Sequence, residues 1–369
     1  MRDKHLQDAG DTALLQSLCR AVEEQLVLDP PRVFAAKLGL KLALYLALAA
    51  GSYALLFQEQ DPARFLLTYV VYGVCVLLFA FNFAHDCAHH TVFRSARLNH
   101  FCFVATYTLL GGHGASWKQR HIHEHHHAPN VLGQDPDLKT TRLIRLIPGS
   151  PHLSIHRYQH LYAPLFYTVY TLMWIFVKDV RFLYMREAGS EAGAEAGAGS
   201  DAAARKDFRY HATFWLQKAL YLTVIVLLPA LFSGQTLPTI LLGFLLMHVT
   251  QSLLLLFTFL MTHHVEGTAY PVRDAQGQIH TSWLRNQILS SNDVHPFSAV
   301  ANFLLGGFNN HVAHHLFPHI HHLYYPRLSR ILYGQLAAHG LTPLHTTYWG
   351  GIASHMRLLR RMGQGASPA

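Results

Sequence analysis

Four runs of apolar residues constrain this chain more than any other feature. They lie near 38–57, 65–84, 214–232 and 237–260, and each is about 20 residues long. As α-helices rising 1.5 Å per residue, such runs match a hydrocarbon core about 30 Å thick. The predicted class is therefore an all-α integral membrane protein with four transmembrane helices. Composition agrees, with 51% hydrophobic and 14% charged residues, where a soluble domain carries about a quarter charged. The polar remainder is expected to form a cytosolic helical cap.

The net charge of +8 with neutral histidines does not call for nucleic acid. The connectors 58–64 and 233–236 hold one cation between them, Arg64, and the other Lys and Arg fall almost wholly on the opposite side of the predicted spans. By the positive-inside rule that richer side is cytosolic, and a bacterial inner membrane is the expected location. Cys19, Cys75, Cys87 and Cys102 have no disulfide or zinc-knuckle spacing. No apolar run follows the first basic residues closely enough for a signal peptide. Residues 1–37 are expected to lie on the membrane surface as an amphipathic cytosolic segment, with Lys41 snorkelling from the first span. Residues 38–330 form the membrane domain and 331–369 a cytosolic tail. The Ala, Gly and Glu-rich stretch 188–206 is expected to be a disordered insertion. Two further apolar runs, 98–110 and 163–177, are too short to cross, and an interfacial or re-entrant course is expected for both.

Histidine dominates the chemistry, with 29 in the chain. Three clusters repeat one spacing. His85-Asp86-Cys87-Ala88-His89-His90 places imidazoles at i and i+4. His121-Ile122-His123-Glu124-His125-His126-His127 does so again, in either of two registers, 121/125/126 or 123/126/127. His311-Val312-Ala313-His314-His315 is the third. On a helix, i and i+4 side chains stack one turn apart and can serve one metal ion, and imidazole suits iron, zinc or copper. One such cluster reads equally well as a His-rich surface loop. Three of them, the first placed where a span ends, predict a polyhistidine metal centre. Four spans also put both termini, all three clusters and His263-His264 on one face, the only arrangement in which one centre can form.

These boxes, in this order and on this membrane plan, resemble the membrane fatty acid desaturase family over roughly residues 65–330. The match includes His85-Asp86-Cys87-Ala88-His89, then Trp117-Lys118-Gln119-Arg120-His121 through Asn130. It also includes Gly306-Gly307-Phe308-Asn309 and the Leu316-Phe317-Pro318-His319 tail of the third box. The resemblance implies a di-iron centre held by nine imidazoles: His85, His89, His121, His125, His126, His264, His311, His314 and His315. The family often has Asn-His where this chain has His263-His264, so His263 is the alternative at that position. His90, His123, His127, His263 and Asp86 are expected around the ligands, and Asp86, Glu124, Asp135 and Asp137 are candidates to orient them. His319 and His322 are expected to be dispensable.

The implied reaction is O2-dependent introduction of a double bond into a fatty acyl chain linked to lipid, CoA or a carrier protein. The same centre can instead support a hydroxylase, an acetylenase or a carotenoid or sphingolipid oxidase. A metal transporter is a more distant alternative. No haem, flavin, nicotinamide or iron–sulfur pattern is present. Electrons must therefore come from a separate donor, a ferredoxin or a cytochrome b5-like protein with its reductase. Arg94, Arg97, Lys118 and Arg120 are candidates to hold an anionic head group.

Overall fold

The computed structural model describes residues 4–138, 142–184 and 206–365, so the insertion expected at 188–206 lies, but for its last residue, outside the described residues. The chain begins with α1 (Ala9–Gln25), capped by the Asp8 carboxylate accepting from the Asp11 N–H. Its apolar face does not lie on a membrane. Leu14, Leu18 and Val22 pack instead against Leu284, Ile288, Leu328 and Leu332.

Four helices are long and apolar enough to cross a bilayer: α2 (Pro31–Leu55), α3 (Pro62–Ala88), α8 (Phe208–Phe232) and α9 (Leu237–His263). Between them come α4 (Ala96–Leu109) and α5 (Gly114–Lys118), then α6 (Ser154–Tyr167) and α7 (Tyr170–Tyr184), which meet at a bend of 77°. Thus α4 and the bent pair account for the two short apolar runs. The first span begins at Pro31, seven residues before the hydropathy pattern places it. Beyond the spans come α10 (Trp283–Leu289), β1 (Asn292–Val294), α11 (Ala299–Leu305), α12 (His311–Leu316), α13 (Tyr325–Ala338), β2 (Leu344–Thr346) and α14 (Tyr348–Gly363). The two short strands pair in parallel. Residues 331–365 are thus a folded part of the cap rather than a tail, with Leu359 buried beside Leu256 and Leu260.

The spans form two hairpins whose turns meet. Gln235 Nε2 donates to the carbonyls of Glu59 and Gln60 at 3.2 and 2.8 Å, so both connectors lie at one end of the bundle. Helix α3 packs on α2 and α9. A Cβ on Gly243 would stand 2.5 Å from Tyr69, and its absence permits this close approach.

The break in α8 is satisfied from α2 and α3. A π turn at Thr223–Leu227 sends the Leu228 N–H to the Thr223 carbonyl, freeing that of Val224. Pro229 has no N–H to give the carbonyl of Ile225. Tyr53 Oη donates to Val224 and Tyr69 Oη to Ile225, both at 2.7 Å. In lipid an unpaired carbonyl has no water to turn to.

Lys41 does not snorkel: it is buried, with Nζ 2.8 Å from His322 Nε2. A second buried ionic group ties the cap to the spans. Asp179 of α7 accepts from Arg120 at 2.8 Å, from Lys218 at 3.0 Å and from the His113 N–H at 2.9 Å.

The turn leading into the third box is set by Gly306, at φ +61°, where a Cβ would lie 2.3 Å from the Phe81 carbonyl oxygen. Gly306→Ala combines that collision with a left-handed backbone that disfavours side chains by about 1–2 kcal/mol. It should lower the thermal unfolding midpoint in detergent and displace the third box. Gly334→Ala, at an exposed position of α13 with nothing within 4 Å of the added Cβ, should be neutral or stabilising by up to about 1 kcal/mol.

Candidate metal centre

Each box arrives on an element whose local geometry aims its rings. Helix α3 loosens into a π turn at Ala80–Ala84 just before His85, and the His85 N–H reaches back to the Ala80 carbonyl. The second box is itself a π segment, Gln119–His125, with the His126 N–H bonded to the His121 carbonyl. A wider turn of this kind brings i, i+4 and i+5 to one side, so His121, His125 and His126 face inward together. The alternative register does not: His123 is exposed and His127 half-buried. In the third box, Asp293 of β1 accepts from the Val312 N–H at 2.9 Å and from Tyr333 Oη at 2.9 Å, fixing the start of α12. Burial pushes the Asp293 carboxyl up to about 6.

Two groups of four imidazoles result. His85, His89, His121 and His314 form one, and His125, His263, His311 and His315 the other. Within each group the ligand nitrogens lie within 4.8 Å of one another. His126 stands between the groups, its ring 4.6 Å from those of both His314 and His315. The first and third boxes meet directly, with the His85 and His314 rings 4.6 Å apart.

One member differs from the sequence expectation. His263 enters the second group, and His264 does not. His263 is the last helical residue of α9, while His264 has left the helix at φ −124°, ψ 64°. Its ring turns to Tyr270, with Nδ1 3.2 Å from the hydroxyl.

The hydrogen bonds around the second group fix its lone pairs. His125 Nδ1 lies 3.0 Å from Asp135 Oδ2, and His263 Nδ1 lies 2.8 Å from the Ser290 carbonyl. Burial pushes the Asp135 carboxyl up, but His125 and the Asn130 N–H outweigh it and hold it below the usual range. Both oxygens accept, so both Nδ1 atoms carry protons, and in the neutral rings both Nε2 atoms present lone pairs. Those two Nε2 atoms stand 3.0 Å apart, and His311 Nε2 is 2.6 Å from that of His263. Facing lone pairs at such distances repel unless a cation lies between them. Two nitrogens about 2.1 Å from one ion and at right angles to each other would stand about 3.0 Å apart. In the first group, His89 Nε2 and His314 Nε2 are buried with no hydrogen-bond partner, as ligand atoms awaiting a metal are. The residues therefore fit metal ions.

Of the other predicted neighbours, His90 is exposed at positive φ. Asp86 faces away from the centre toward His321 and His322, with His322 Nδ1 2.5 Å from Oδ2. His322, expected to be dispensable, is thus buried between Asp86 and Lys41. Glu124 lies 3.5 Å from the Gln119 amide, and the Asp137 side chain falls outside the described residues. Sequence reasoning missed Ser290 and Gln287, whose carboxamide is 2.8 Å from His315 Nδ1. No spacing announces either.

An apolar cavity of about 550 Å³ reaches the imidazoles. Leu77, Phe81, Tyr107, Trp174, Leu255 and Phe259 line it, and His85, His121, His125 and His263 stand on its wall. Trp117, also on the wall, stacks on His121 with ring centroids 4.3 Å apart.

Burial, and then the neighbouring imidazoles, hold His89, His121, His126, His311, His314 and His315 well below the ordinary histidine range. These groups are neutral in the fold and take up protons on unfolding. Stability should therefore be greatest above about pH 6.5 and fall as pH drops below it. Thermal unfolding of the chelator-treated protein in detergent between pH 7.5 and 5 checks this, and a flat profile would contradict it.

The profile of the fatty acid desaturase family matches residues 62–347. The chain is similar to the sn-1 linoleoyl-lipid 6-desaturase of Synechocystis, 27% identical over 91% of this chain and 90% of that protein. The protein of the same name from Arthrospira platensis is 26% identical over 88% and 85%. An acyl-lipid (7-3)-desaturase of Rebecca salina is 29% identical over 81% of this chain and 64% of its own length. With its helical membrane fold and its histidine groups, the chain belongs to the fatty acid desaturase family, enzymes that introduce double bonds into fatty acids.

Proposed function

We propose that this chain holds two iron ions and uses O2 to desaturate acyl chains carried on membrane lipids, with its active site on the cytosolic face of a bacterial inner membrane. The observation that supports the reading most is the pair of four-imidazole groups, their ligand atoms turned inward, at the wall of an apolar cavity. The relatives named for acyl-lipid substrates support the substrate class. His85, His89, His121 and His314 would hold one iron, His125, His263, His311 and His315 the other, with His126 beside both. When bound, the irons supply reduction of O2 and an oxidant able to take hydrogen from an unactivated methylene.

The chain's own residues do the rest. Phe81, Leu255, Phe259 and Trp174 offer an acyl chain a dry channel, so methylenes rather than water face the imidazoles. Asp135 and the Ser290 carbonyl keep the protons of His125 and His263 on Nδ1. Formation of one double bond with reduction of O2 to two waters takes two electrons and two protons from outside. No redox group besides the histidine sites is legible in the sequence, so a separate ferredoxin or cytochrome b5-like protein with its reductase supplies the electrons. That donor meets a basic cytosolic face, where complementary charge speeds encounter.

His89→Ala, His263→Ala and His315→Ala should each lower bound iron and abolish product while the protein stays in the membrane. His264→Ala should retain iron. Metal analysis of the purified variants checks the assignment, and two irons retained by His263→Ala would overturn it. The purified chain in lipid with O2 and substrate alone should give no sustained turnover. Reduced donor and reductase should restore it, less well at high ionic strength. Sustained turnover with nicotinamide as the only addition would contradict the external donor.

A further inference from the structure

The cavity that reaches the imidazoles opens sideways. Leu143, Phe166, Val169 and Met173 line it and are between 37% and 42% exposed. Three of the four lie at the bend between α6 and α7. A mouth meant for a water-borne substrate would be rimmed by polar groups. This apolar rim, on a pair of helices bent by 77° rather than running as one straight span, suits contact with the acyl region of a bilayer.

On the same wall α7 presents Lys178 and Arg181, one helical turn apart, and both line the cavity. Among the described residues neither forms an ion pair. Lys178 has the face of Tyr170, with Nζ 5.5 Å from the ring centre. Arg120 lines the cavity as well, and Asp179 binds it together with Lys218. The carboxylate on the lining itself, Asp135, is turned to His125, and Asp179 and Lys218 lie behind that lining. Counting Arg120, Lys178, Arg181 and Lys218 against Asp179 and Asp135, four cations face two carboxylates, a local surplus of +2. An apolar channel, a lateral apolar rim and surplus positive charge match an amphiphile with an anionic head.

We propose that Lys178 and Arg181 form a head-group site for an anionic phospholipid. The chain then acts on acyl groups of phospholipids with net negative charge in preference to those of neutral lipids. The inference rests on the acyl-lipid reading above and adds the class of lipid.

The test uses the full chain, its iron and its electron donor in phosphatidylcholine vesicles. The vesicles contain equal amounts of phosphatidylglycerol and digalactosyldiacylglycerol bearing the same acyl chains, and new double bonds are counted in each lipid class by mass spectrometry. Each cation near an anionic head is worth about fivefold. Product in phosphatidylglycerol should therefore exceed that in the galactolipid by about fivefold or more. Lys178→Gln/Arg181→Gln should bring the ratio close to one, and Lys178→Arg/Arg181→Lys should keep it. A helix-anchoring role for the two cations would change both lipid classes together and leave the ratio intact. A ratio near one in the unchanged chain, or an unaltered ratio in the glutamine variant, would overturn the site. So would preference for added acyl-CoA over phosphatidylglycerol. Native mass spectrometry of lipids retained by the purified protein gives a readout independent of turnover. Selective retention of phosphatidylglycerol that the glutamine variant loses, with no product in any class, would sink desaturation and leave the head-group site standing.

Discussion

Imidazole lone pairs held face to face are the constraint on which the rest of this structure depends. His125 and His263 point unprotonated nitrogens at each other across 3.0 Å, with their protons committed elsewhere to Asp135 and Ser290. A protein interior does not hold two neutral rings in this way by hydrogen bonding, because neither Nε2 can donate. Such an arrangement calls for two things: rigid supports behind each ring, and a cation in front of them. The buried carboxylate and carbonyl are the first. The second is what the proposed irons would provide. This explains why so much of the cap is polar and buried at once, with Asn130, Asn286, Gln287 and Asp293 all nearly inaccessible.

The supports extend into the spans. Helices α3 and α9 deliver His85 and His263 from one packed pair, whose close approach nearer the other end Gly243 permits beside Tyr69. The π turns before His85 and through the second box widen the helix where several rings must share a face. Gly306 lets the third box lie against the α3 backbone itself. The centre is therefore set by backbone packing, and side-chain adjustment has little room to repair an error.

Much of this was legible in the chain, for definite reasons. Runs of about 20 apolar residues leave few alternatives to a span, and i, i+4 histidines leave few alternatives to one helix face. Register within a cluster was harder. His121, His125 and His126 share a side only because their segment is a π turn, which no periodicity announces. His263 and His264 are neighbours at a helix end, and the choice between them depends on which residue is the last to keep helical angles. Long-range partners were out of reach altogether. Lys41 reads as a snorkelling anchor and His322 as a dispensable residue until folding brings them 2.8 Å apart beside Asp86. The α1 pattern gave an amphipathic face correctly but not what covers it, which is α10 and α13 rather than lipid.

The break in α8 bears on biogenesis. Pro229 and the π turn before it leave the carbonyls of Val224 and Ile225 without partners in their own helix, and both are satisfied by tyrosines of the first hairpin, Tyr53 and Tyr69. Alone in a bilayer, α8 would expose two bare carbonyls to hydrocarbon, each unfavourable by several kcal/mol. Once α2 and α3 stand beside it, the deficit is gone. The second hairpin thus has a reason to settle only against the first, in the order in which a ribosome delivers them. A helix that looks defective in isolation becomes a checkpoint on assembly, completed only when the helix carrying the first histidine box is already in place.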